Sequence, residues 1–153
     1  MDSIAEIAEQ TITRVLEGAA FIFTDPLAES DIPPLQTWEA DGVSLKFKGK
    51  PTGMMHMWVS EGFACSIAAN MLGIDMESET AKEKGLDALK ELLNMIVGNL
   101  MTAAFGEEPV FELGLPERID RSLLESHGDN PHAIWLQADD NPVLFLIEID
   151  PAV

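Results

Sequence analysis

GVSLKFKGKPTGMMHMWVS, residues 42–60, alternates apolar and polar side chains through two arms separated by a short Gly/Pro link. Val43, Leu45 and Phe47 interleave with Ser44, Lys46 and Lys48, the pattern of a strand with one buried face. After GKPTG, the run MMHMWVS puts Met55, Met57 and Val59 on one face and His56 and Trp58 on the other. Two strands joined this closely must run antiparallel, because a parallel pair needs a crossover of a dozen residues or more. Upstream, Trp38 to Gly42 leads through Asp41-Gly42, a turn dipeptide, so a hairpin is expected there as well.

Moving outward from this sheet, Ile4, Ile7, Ala8, Ile12, Val15 and Leu16 recur at helical spacing. They predict a helix over residues 3 to about 23, with Ser3 and Glu6 as a capping box. DPLAESDIPP (25–34) carries three prolines and three acids and reads as a loop. Residues 62–72 form a short apolar helix, and the polar link DMESETAKEKG leads to the longest periodic stretch, about 81–105. Val110–Leu115 reads as a strand stopped by Pro116, and 117–131 as irregular or partly helical. AIWLQA-DDNP-VLFLIEI (133–149) closes the chain as a hairpin whose second arm is apolar on both faces. This order predicts an α+β fold: two layers, a mainly antiparallel sheet with helices packed on one face. Residues 1–153 are expected to form one domain.

Nine Lys+Arg stand against 27 Asp+Glu, a formal net charge of −18. Nucleic acid and anionic membrane surfaces would be repelled. A single cysteine, Cys65, closes no internal disulfide and builds no zinc finger. The acidic, amphipathic start MDSIAEIAEQ is the opposite of a signal peptide, and no apolar run approaches the ~20 residues of a membrane span. The expectation is a soluble cytoplasmic protein.

The long helix carries the most information. Turning about 100° per residue from Asp87, the residues Leu89, Leu93, Ile96, Val97, Leu100 and Ala103 fall in one broad stripe that must pack on the sheet. Asp87, Glu91, Asn94 and Gly98 fall opposite. Asn is a mediocre helix former, and a helix-interior Gly costs roughly 1 kcal/mol relative to Ala. A polar row ending in a bare glycine suits a docking surface better than a merely solvated face.

Asp87-x3-Glu91-x2-Asn94, with Pro116 after 21 intervening residues, resembles the signature of the CheC/CheX/FliY phosphatases of bacterial chemotaxis. That signature is Asp or Ser, then E-x-x-N, then a more distant proline. CheC-type chains carry two copies of the motif. This chain carries one, so it is most similar to the single-motif CheX branch. The resemblance implies dephosphorylation of the phospho-aspartate of a CheY-like receiver domain. It implies Asn94 as the residue that orients the attacking water and Glu91 as the residue that docks the receiver's lysine. Asp87, Gly98 and Pro116 would support the site or the partner contact. Mg²⁺ would belong to the receiver, with no cofactor in this chain, and a homodimer joined through sheet edges is implied. VLFLIEI (143–149), a long apolar arm near the chain end, would be hazardous if left uncovered and supplies a physical motive for that dimer. The competing reading is a non-catalytic scaffold of the same fold in the chemotaxis or flagellar-switch system.

Other constellations carry less. His127-x4-His132 has a metal-like spacing but lies in a Gly/Asp/Pro loop without a third ligand. Cys65 reads as an inert core thiol, His56 as a satisfied sheet histidine, and Met54, Met55 and Met57 as core filler. Asp139-Asp140-Asn141 reads as turn chemistry.

Overall fold

The computed structural model describes residues 3–150. Helix α1 (Ile4–Ala20) opens with the expected capping box: Ser3 Oγ accepts from Glu6 N–H at 3.2 Å, and Glu6 Oε2 accepts from Ser3 N–H at 3.3 Å. It stops short of residue 23 because Phe21 turns left-handed (φ 55°) and sends the buried Ile22 back toward the core. Strand β1 (Thr24–Pro26) follows, then a single 3-10 turn (Glu29–Asp31). Strands β2 (Ala40–Lys48) and β3 (Gly53–Ser60), helices α2 (Phe63–Leu72) and α3 (Glu79–Phe105), and the short strands β4 (Glu112–Leu113) and β5 (Glu117–Ile119) come next. A second 3-10 turn (Arg121–Leu123), helix α4 (Leu124–Gly128) and the hairpin β6 (Ile134–Ala138)–β7 (Asn141–Ile149) complete the fold.

The strands form one sheet in the order β1-β6-β7-β3-β2-β4, with β5 also paired to β2, and every pairing is antiparallel. Register lines up Val43, Met57 and Phe145, and beside them Leu45, Met55 and Ile147, on one face. Helices α1 to α3 pack there through Ile12, Leu16, Ile67, Leu89, Leu93 and Ile96, all essentially without solvent contact. The α+β architecture with helices on one face is as the sequence predicts. The opposite face is covered as well: Leu35, Trp38, Trp58, Leu124 and Leu144 form a second, smaller core beneath the α4 region. Burial on both sides explains why β7 is apolar on both faces.

Four sequence expectations change. Asp41-Gly42 is no turn but lies inside β2, where a Cβ on Gly42 would sit 2.5 Å from the Trp58 ring. The acidic loop at 25–34 gives up Asp25 and Pro26, which together with Thr24 pair with β6. The 110–115 strand shrinks to two residues, and Val110 and Leu115 are left exposed. Finally, β7 lies between β6 and β3, so Val143–Phe145 is paired on both sides, while Leu146–Ile149 pairs with β3 alone.

Candidate functional site

Ser78 caps α3 by accepting from Ala81 N–H at 3.1 Å, and the helix then runs 27 residues. Leu89, Leu93, Ile96, Val97 and Leu100 are buried as predicted, whereas Ala103 is exposed. On the other side Asp87 and Glu91 are exposed, and Asn94 and Gly98 are half-buried. Four candidate residues therefore share one row. Lys84 reaches Asp87 at 3.9 Å one turn before it, a solvated pair of little energetic weight. Asn99 uses its amide on its own helix, donating to Met95 O at 2.7 Å. Asn94 makes no such bond among the described residues, so its acceptor and donors remain free for an external partner.

Pro116 lies in the link between β4 and β5 at the β2 edge of the sheet, between Leu113, which shares a groove with Gly98, and Arg118, which shares one with Leu86 and Leu89. The segment ahead of it approaches the helix. Met101 and Gly98 from α3, with Pro109, Phe111, Leu113 and Glu107, line an open groove of about 260 Å³. A Cβ built on Gly98 would meet only Leu113, at 3.9 Å. No periodicity or motif marks this groove, because it depends on where the 106–113 segment folds back.

A second polar cluster lies on the far face of the sheet. Ser44 Oγ is 2.5 Å from His56 Nδ1, and His56 Nε2 is 2.5 Å from Glu148 Oε1. A carboxylate only accepts, so His56 donates from Nε2 to Glu148 and accepts a hydrogen bond from the Ser44 hydroxyl at Nδ1. The expectation of a satisfied sheet histidine holds. His127 stacks on His56 with ring centroids 4.0 Å apart, and Trp58 Nε1–H donates to its Nδ1 at 3.0 Å. Burial lowers the pKa of His56 against the opposing pull of Glu148. Burial, reinforced by neighbouring His56, lowers that of His127 to about 4. His127 is thus a packed residue rather than part of a pair with the exposed His132.

The donor atoms of His56, His127 and Glu148 lie within 4.8 Å of one another. Their chemistry still suits hydrogen bonding better than an ion. An indole can only donate, so neutral His127 carries its proton on Nε2, the nitrogen an ion would need. The two ring planes are also only 26° apart, so lone pairs lying in those planes do not meet at a common point. Cys65, expected in the core, is half-exposed on α2. Asp139 and Asp140 form the β6–β7 turn with φ of 47° and 65°, as their composition predicts.

The family model described as Chemotaxis phosphatase CheX matches residues 42–137, which span β2 through most of β6 and include the whole of α3. The chain belongs to the CheX family. Among solved structures, the CheX-CheY-BeF3-Mg complex from Borrelia burgdorferi is similar at 19% identity and a TM-score of 0.70, over 97% of this chain and 99% of that one. A chemotaxis protein from Desulfovibrio vulgaris Hildenborough gives 17% and 0.69, over 96% of both chains. A CheC-like superfamily protein from Shewanella sp. PV-4 gives 16% and 0.69, over 99% and 100%. At these identities the likeness is one of fold, and it is the CheX/CheC fold over nearly the full length. No curated protein matches the chain significantly. Among the described residues, no helix is long and apolar enough to cross a membrane.

Proposed function

We propose that this CheX-family chain hydrolyses the aspartyl phosphate of a CheY-like receiver in the cytoplasm, as a single domain. The observation that carries the reading is the free Glu91/Asn94 pair, one turn apart on the outer row of α3. An acyl phosphate is already activated, so its hydrolysis calls for a positioned water more than for a nucleophile. Water attacks phosphorus in line, the P–O bond to the receiver aspartate breaks, and inorganic phosphate and a free carboxylate result. Asn94 holds that water from one rigid amide plane. Glu91 pairs with the receiver's lysine and sets the register of docking. Asp87 stands one turn further back and supports this contact. The Borrelia structure contains CheY, BeF3 and Mg together with CheX. This supports a receiver partner that brings its own Mg²⁺ to neutralise the phosphoryl oxygens.

The test is phosphate release from a panel of phosphorylated receivers with this protein present. Acceleration for at least one receiver supports the enzyme. Binding to phosphorylated receivers with no acceleration for any of them would instead favour the scaffold reading.

A further inference from the structure

We propose that the groove beside Gly98, together with the apolar loop 109–116, is a second contact for the receiver, setting affinity and partner choice apart from chemistry. The inference rests on the function proposed above and deepens it. Gly98 continues the row of Glu91 and Asn94 and lies about 6 Å beyond Asn94 along the helix. A partner held at Asn94 therefore has its flank over the groove. The chain's own packing does not explain this glycine. At Gly85 on the same helix, a Cβ would crowd Ala64 at 3.2 Å, whereas at Gly98 the nearest atom is 3.9 Å away. An alanine would fit the free protein and favour the helix, so the space is of use to something outside the chain.

The chemistry of the groove indicates what fills it. Met101, Pro109, Phe111 and Leu113 give apolar walls, and Glu107 lines it, followed in the chain by the exposed Glu108. On either side of β4 in sequence, Val110 and Leu115 are 84% and 85% exposed, the two most exposed large hydrophobic residues among those described. Apolar anchors next to Glu107 and Glu108 fit a receiver face with an apolar side chain flanked by Lys or Arg beside its phosphoaspartate.

The probe is the receiver that the parent protein dephosphorylates fastest, loaded with beryllofluoride and Mg²⁺ for binding and phosphorylated for turnover. Gly98→Leu should fill the groove, and V110S/L115S should remove two exposed anchors without touching the core. Each is expected to raise Kd at least tenfold, and V110S/L115S should do so while leaving kcat at saturating receiver within about twofold. Gly98→Ala should raise Tm. Unchanged Kd in both Gly98→Leu and V110S/L115S, with thermal unfolding showing both folded, would overturn the inference. So would a change in the oligomeric mass of Gly98→Leu, which would make the groove a contact between copies of this chain. Failure of the underlying reading looks different: Asn94→Ala would then retain full turnover whatever the groove variants do.

Discussion

Leu93 and Asn94 are chain neighbours about 100° apart around α3: Leu93 has no solvent exposure, and Asn94 is half-buried in the outer row. Leu93→Ala should cost about 2–5 kcal/mol through lost burial and a residual cavity. Asn94→Ala should change stability by less than about 0.5 kcal/mol. It should nonetheless lower turnover roughly 100-fold, the scale for deleting one positioned polar group, while docking survives. Glu91→Ala should weaken docking and turnover together. Denaturant titration and phosphate release on the three variants give this contrast, and an Asn94→Ala protein as fast as the parent would refute the catalytic role. Helical periodicity made that row legible. It could not reveal His127, whose partners Trp58 and His56, with Ser44 and Glu148 bonded to His56, come from three strands distant in sequence. His127 titrates near 6.5 when unfolded but near 4 when folded, so between those values the unfolded chain binds the extra proton. Stability should therefore fall as pH drops from about 6.5 toward 4. His127→Gln keeps an acceptor for the Trp58 indole but takes up no proton. Its stability should depend less on pH across that window in urea titrations at pH 7, 6 and 5. An undiminished slope would show that other groups control it.

Among the elements, period-two alternation located β2 and β3 and the correct inner face of each, because a one-residue slip would expose the whole apolar set. Asp41-Gly42 misled, since the same dipeptide that favours a turn serves here a different need. Gly42 is opposite Trp58 in the register, and the indole lies flat where a side chain would project. Trp58 has no room to yield: it is fully buried and held through its N–H by His127. Gly42→Ala should therefore destabilise the protein by about 1–3 kcal/mol, seen as a drop in Tm, the cost of overpacking a tight core. A neutral result would mean that the Trp58 ring shifts freely. The strand expected at 110–115 failed for another reason. Only Leu113 and Glu112 find partners on β2, opposite Phe47 and Lys48, and Gly114 then donates to Lys46 O at 2.7 Å. Edge strands this short depend on tertiary contacts that local propensity does not encode.

At the scale of the whole molecule, β7 keeps an open edge only at Leu146–Ile149, since Val143–Phe145 is paired on both sides. The homodimer implied by the family resemblance would use the remaining edges. One of these is β1, preceded by Phe21 and Phe23 at 69% and 67% exposure. A dilute-solution mass of only 16.7 kDa would exclude such a dimer. Net charge makes the last prediction. With 27 acidic against nine basic residues, the chain carries −18 and repels any receiver of net negative charge at long range. Glu91 attracts one lysine, but only at contact distance. Added salt screens the long-range part first, because a Debye length of about 10 Å at 0.1 M is shorter than the approach path yet longer than the ion pair. Association with an acidic receiver should therefore speed up as salt rises from about 10 to 100 mM, while dissociation also quickens as the contact pair weakens. Stopped-flow association rates across that range decide the matter. A steep slowing with salt would show that local attraction, through Glu91 and Glu107 of the Gly98 groove, outweighs the charge of the molecule as a whole.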